Sequence, residues 1–102
     1  MKKIEIDDCI NNRNENSREF IDAIYAITSQ YTKKIAYNTT VEEREDIINS
    51  CITDLYSYTI PKFDAEKGKK SSLCRRAIWF YVIKHNQRLQ KIKKHEVSED
   101  YH

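Results

Sequence analysis

Apolar residues recur at three- and four-residue steps in three stretches of the chain, and polar runs separate the stretches. In the first, Phe20, Ile24, Ile27, Tyr31 and Ile35 share one face of a helix. Ser17 suits its N-cap, and the polar Asn38-Thr39-Thr40 ends it, which predicts a helix over about 17–38. In the second, Thr40-Val41-Glu42-Glu43 has the order of a capping box, Thr at the cap and Glu three residues later. Glu42, Glu43, Glu45 and Asp46 crowd the first turns, where the helix dipole favours negative charge. Ile47, Ile48, Cys51, Ile52, Leu55 and Tyr56 continue the stripe, predicting a helix over 41–58. After a loop, IPKFDAEKGKK, Ser71 or Ser72 caps a third helix over 71–94. Leu73, Cys74, Ala77, Ile78, Tyr81, Leu89 and Ile92 form its apolar face, with Trp79, Phe80, Val82 and Ile83 partly off it. Residues 1–16 keep no sustained period and end in NNRNEN, so they read as an N-terminal arm or short helix. Residues 96–102 read as an acidic, frayed tail. The expectation is an all-α domain of three to four helices over residues 17–95.

Composition sharpens this. The chain has one glycine, Gly68, and one proline, Pro61. Sandwiches and barrels need turn residues at short, regular intervals, and phosphate-cradling or dinucleotide-binding loops need several glycines together. Both classes are excluded. Fourteen Ile, seven Tyr and three Phe supply one modest core in 102 residues. No apolar run is long enough to span a bilayer, and acids replace the apolar stretch of a signal peptide in MKKIEIDDCI. A cytoplasmic protein with no membrane partner is expected. Cys9, Cys51 and Cys74 are odd in number and widely spaced, which fits free thiols, and His85, His95 and His102 complete no zinc-ligand spacing. No metal or cofactor is expected.

Charge is more informative by segment than in total. Residues 1–66 carry eight Lys/Arg against thirteen Asp/Glu, a net −5. Residues 67–95 carry ten Lys/Arg and no acid, and residues 96–102 return three acids. The overall +2 therefore hides a bipolar chain. Such asymmetry points to a nucleic-acid surface on the basic part and leaves the acidic part to face a basic protein. The acids Asp46, Asp54 and Asp64 are read as solvated or capping groups rather than a confined acid–base pair, so no enzyme is expected. On the third helix, Arg75, Arg76, Lys84, Arg88, Lys91, Lys93 and Lys94 accompany Trp79-Phe80-Tyr81 and His85-Asn86-Gln87. Cations supply phosphate attraction, exposed aromatics stack unpaired bases, and Asn or Gln read base edges. That mixture suits single-stranded or locally melted DNA.

The stretch EREDIINSCITDLYSYTIPKFDAEKGKKSSLCRRAIWFYVIKHNQRLQK resembles conserved region 2 of the bacterial sigma-70 family. There, an acidic and apolar helix leads to a Phe-Asp-x-x-x-Gly loop, a basic cap with Ser/Thr, and an aromatic helix. Here these are Glu45-Asp46-Ile47-Ile48, Phe63-Asp64 with Gly68, Lys70-Ser71-Ser72, and Trp79-Phe80-Tyr81. The likeness covers roughly residues 20–94. It departs from the family where Asn49-Ser50 replaces Gln-Glu, where the loop gains a residue with Pro61, and where Ser71 replaces Phe. At 102 residues the chain lacks room for the domains that read the upstream promoter element, so the reduced sigma factors of tailed phages look most similar.

The resemblance implies that the second helix docks on the clamp helices of the largest subunit of core RNA polymerase. The matching positions are Asp46, Asn49, Ser50, Thr53 and Asp54. It further implies that the loop and third helix capture non-template-strand bases of an AT-rich −10-type promoter element. Phe63, Asp64, Lys67, Lys70, Ser72 and Arg75 then surround a base pocket, Trp79, Phe80 and Tyr81 wedge or stack, and Arg76 is a further DNA contact. Lys84, His85, Gln87 and Arg88 contact upstream DNA. A second factor would read the upstream element. Two other readings share the residues: a regulator that occupies the polymerase and blocks the host sigma factor, and a helical DNA-binding module independent of polymerase.

Overall fold

Both side-chain caps expected at Ser17 and Thr40 form. The Ser17 hydroxyl accepts the Phe20 N–H at 3.2 Å and starts α2 (Arg18–Ile35). At Thr40 the capping box closes in both directions: the hydroxyl accepts the Glu43 N–H at 3.2 Å, and Glu43 Oε1 accepts the Thr40 N–H at 2.8 Å. This box starts α3 (Val41–Asp54). The structure, a computed structural model, describes residues 2–100 and side chains through Lys94. Among the described residues it is all-α, with α1 (Lys3–Asn12) before these two helices, α4 (Lys70–Asp100) after them, and no strand. No helix among them is long and apolar enough to cross a membrane.

Residues 1–16 contain a short helix seated in the core. Ile6 and Ile10 are 1% and 0% exposed and pack with Phe20, Ile24, Ile27, Cys51, Ile78 and Val82. Two isoleucines four residues apart put one apolar stripe on ten residues, too few for a sustained period to register. Burying each contributes about 1.5–3 kcal/mol, enough to hold an otherwise polar helix in place.

Four boundaries differ from the sequence pattern. Helix α2 stops at Ile35, two to three residues early, and the turn that follows buries Ala36 and Thr39. The helix expected over 41–58 is α-helical only to Asp54, and then widens into a π-helical turn, Leu55–Thr59. Within that turn Leu55 and Thr59 are buried and Tyr58 is 60% exposed. Helix α4 begins at Lys70, before either expected serine cap, and continues to Asp100, past the expected end at 94. No glycine or proline lies beyond Gly68 to stop it. The acidic side chains of the 96–102 tail, with His95 and His102, lie outside the described side chains.

The core stripe of α4 also differs. Cys74, Ile78 and Val82, at four-residue steps, are fully buried, so Val82 lies at the centre rather than off the face. Ile92, expected on the apolar face, is 49% exposed. At about 1.5 Å per residue α4 is roughly 46 Å long, and it accounts for most of the 54 Å length of the molecule.

Between the π turn and α4, Pro61 sits in a 3₁₀ turn (Ile60–Lys62), and a second 3₁₀ turn (Ala65–Lys67) starts where the Asp64 carboxylate accepts the Glu66 N–H at 3.0 Å. Gly68 has φ +144°, a conformation that L residues rarely adopt, and it turns the chain into α4.

Candidate nucleic-acid interface

Helix α1 and the turn after it hold the start of α4 through polar groups at four-residue steps. Asp7 Oδ1 accepts from Arg75 Nε at 2.8 Å, and Asn11 Oδ1 accepts the Ser71 N–H at 2.9 Å. The Glu15 carboxylate takes Lys70 Nζ at 3.5 Å. The Asn11 contact satisfies one of the N–H groups that a helix start leaves without an intrahelical partner. Glu15 also offers its carbonyl to the Tyr56 hydroxyl at 2.8 Å, and burial is the main reason that phenol's pKa is raised. The first two contacts join antiparallel α1 and α4, and the turn after α1 adds the third.

These contacts divide the expected DNA-binding residues. Arg75 is committed to Asp7 and to the Tyr31 hydroxyl, 3.3 Å from Nη1. Burial opposes its charge, but the hydrogen bonds it donates to Tyr31 and Asp7 outweigh that, and its pKa is raised. Lys70 is also turned inward, 5.2 Å from the Phe20 ring centroid and 5.5 Å from that of Phe63. It sits between the two rings as a cation–π bridge. Neither residue lines the cleft at the loop. His85 is likewise engaged, with Nε2 2.7 Å from Asp54 Oδ2 and both side chains largely buried. Asp54, expected among the polymerase-facing positions, is thus mostly covered by His85. Trp79 packs edge-on against Tyr31 at 5.2 Å and remains 43% exposed.

Other expected residues do come together. Phe63, Asp64, Lys67, Ser72 and Arg76 line a cleft of about 250 Å³ between the loop and the first turns of α4, with Gly68 on its wall. Lys62 and Lys69, not anticipated individually, also line it. Four exposed cations therefore face one carboxylate, Asp64. Next to this cleft lies a mainly apolar groove of about 450 Å³, where Tyr58, Ala77, Phe80 and Tyr81 meet. Lys62, Leu73 and Arg76 border both. Tyr81 is fixed by its hydroxyl, 2.9 Å from Thr59 Oγ1, whereas Phe80 is 63% exposed.

Beyond the groove, Arg76, Phe80, Lys84, Gln87, Arg88 and Lys91 follow one another at helical spacing on exposed α4 surface. This line covers roughly 22 Å, at about 1.5 Å per residue. Trp79, Phe80 and Tyr81 are about 100° apart around the helix, so the three aromatics serve three different surfaces. Sequence reasoning grouped them because it read adjacency; only Phe80 and Tyr81 reach the groove. Tyr58 and Thr59 come from the π turn, which has no sequence signature, and Leu73 and Ala77 belong to the apolar face of α4, which the pattern assigns to the core.

On α3, Asp46, Asn49 and Thr53 are exposed at three- and four-residue steps, with the Thr53 hydroxyl bonded to the Asn49 carbonyl at 2.9 Å. Ser50 turns partly into a shallow groove that Asp46 and Arg88 also line. Glu43, at the top of α3, has a lowered pKa, first through its hydrogen bond to the Thr40 N–H and then through Lys93 of α4 at 2.9 Å. Among the described residues no three His, Cys, Asp or Glu side chains gather as metal ligands.

No protein-family model, no curated protein and no solved structure matches this chain.

Proposed function

We propose that the chain is a sigma-type initiation factor. In this reading α3 meets the clamp helices of core RNA polymerase, and the loop with α4 captures non-template-strand bases of an AT-rich promoter element. The observation that carries the reading is the loop cleft, whose cations Lys62, Lys67, Lys69 and Arg76 surround the half-buried Phe63 ring and border a groove with Phe80. Phosphate attraction and base stacking are thereby available on one surface.

The work is non-covalent. Extruding a base costs a few kcal/mol, which pocket contacts and stacking offset. Pyrimidine–purine steps unstack most readily, consistent with an AT-rich target. Exposed Asp46, Asn49 and Thr53 give α3 a polar, acidic side suited to a basic partner, while Asp54 works inside the fold by holding His85. Arg75 and Lys70 fix the position of α4 and of Phe63.

Run-off transcription with core polymerase and an AT-rich promoter library tests the proposal. Selective new start sites are expected with the wild type, and their loss with Asp46→Lys. Competition with the host sigma factor without new start sites means a blocking regulator instead. Duplex binding that ignores Asp46→Lys, with no effect on polymerase, means an independent DNA-binding module.

A further inference from the structure

We propose that the chain holds two consecutive nucleotides of a single strand, one base in the loop cleft and its neighbour in the apolar groove. Lys62 and Arg76 grip the phosphate between them. The inference rests on reading this face as a nucleic-acid surface, and it adds a second base site to that reading.

The two depressions are neighbours in a specific way. Their common border is Lys62, Leu73 and Arg76, two long cations flanking one apolar side chain. A phosphodiester joining two bases lies over such a border, with its charge between the cations and its sugars against the leucine. The groove itself is lined by those two cations and by no carboxylate, which suits an anionic strand. A basic protein segment would meet repulsion there.

The lining also divides the labour. In the groove, Tyr58 and Phe80 are 60% and 63% exposed and offer ring faces. The hydroxyls of Thr59 and Tyr81 are bonded to each other, so the groove wall makes little demand on a base edge. Such a site stacks any base. The loop cleft differs, because Asp64, Ser72 and the backbone around Gly68 offer acceptors and donors. It can read an edge. The pair therefore consists of one selective position and one tolerant neighbour. The π turn contributes Tyr58 and Thr59 to the second site, with Thr59 buried and Tyr58 exposed.

The test is an amide-resolved NMR titration of the full chain at low salt with deoxymononucleotides, the matching dinucleotides, and dinucleotides lacking one base. A dinucleotide is expected to bind roughly tenfold more tightly than its better mononucleotide, the scale of one stacked base. It should shift the amides of Lys67 and Gly68 together with those of Ala77 and Phe80. Changing the base in the groove should alter affinity little, and changing the base in the cleft should alter it strongly. Ala77→Leu, which fills the groove, should remove the tenfold gain and leave mononucleotide binding intact. Phe80→Ala, at an exposed position, should do the same without disturbing the fold. Equal affinity for mono- and dinucleotides, or shifts confined to the loop, overturns the second site and leaves the first. Absence of any saturable shift with either probe overturns both, together with the nucleic-acid reading.

Discussion

Arg75 of α4 and Asp7 of α1 meet at 2.8 Å, across 68 residues of sequence, with 19% and 31% of their side chains exposed. A residue that reads as a DNA contact in sequence is therefore a bolt between the first and last helices. Asp7→Ala leaves the guanidinium without its carboxylate and is expected to lower stability by about 1–2 kcal/mol, reduced from a fully buried charged pair by partial exposure. Urea denaturation would measure it, and the loss should persist at high salt because the pair is largely shielded.

Arg75 and its neighbour Arg76 should consequently separate. Arg75→Ala is expected to cost stability first, whereas Arg76→Ala, exposed at the border of both depressions, should leave the melting temperature within a few degrees. It should nevertheless reduce oligonucleotide binding and its salt slope. Equal effects of both variants on stability would contradict the assignment.

Asn11→Ala removes a cap that one helix lends to another. A loss of about 1 kcal/mol is expected, in the range of ordinary N-cap deletions. Faster hydrogen exchange of the Ser71 amide, whose proton Asn11 accepts, would locate the effect. Gly68→Ala meets no atom within 4 Å of the added carbon, so any destabilisation reports backbone strain at φ +144° alone. A cost of roughly 1–3 kcal/mol is expected.

Stability should fall at both ends of the pH scale for identifiable reasons. The folded pKa of Glu43 is lowered, so its contribution is present above its ordinary value of 4.5 and is lost as pH drops through the folded value. Glu43→Gln should flatten the acid limb. Burial pushes the Cys51 thiol up to about 12 and the Cys74 thiol up to about 11. Their contribution is complete below the ordinary thiol value of 9.0 and fades as pH rises toward the folded values, because only the unfolded chain ionises them. Replacing both with Ala should remove part of the alkaline limb, read from denaturation midpoints against pH.

Thiol labelling separates the three cysteines. Cys9 is partly exposed and should react with an aromatic disulfide on mixing, whereas Cys51 and Cys74 are buried and should react only as the chain unfolds. One fast equivalent followed by two slow ones is expected. Three fast equivalents would contradict the packing of α3 against α4.

The helices themselves were largely legible. Ser17, the Thr40–Glu43 box and the isoleucine spacing act through contacts within a few residues, so the pattern carried them into the structure almost unchanged. Helix α1 was hard to read because ten mostly polar residues have no stable period of their own; Ile6 and Ile10 matter only against the core they enter. The end of α3 was misread for a related reason. The sequence runs on smoothly through Tyr58, and nothing in its spacing marks the change to a π turn in which Leu55 and Thr59 are buried.

For the site, the loop PKFDAEKG and the basic α4 were visible in composition, since charge and glycine are properties of residues. Which cation faces outward was not. Lys70, Arg75 and His85 differ from Lys69, Arg76 and Lys84 by a single step, yet a step turns a helical side chain by about 100°. The first three meet Glu15, Asp7 and Asp54, all distant in sequence, and the second three remain on the surface. The sequence by itself determined where helices begin, which segment is basic, and where the one glycine-bearing loop lies, because these depend on local hydrogen bonding and residue type. Tertiary structure alone decided which charges hold the fold and which remain on the surface, because that depends on what α1, the turn after it and α3 bring opposite each turn of α4.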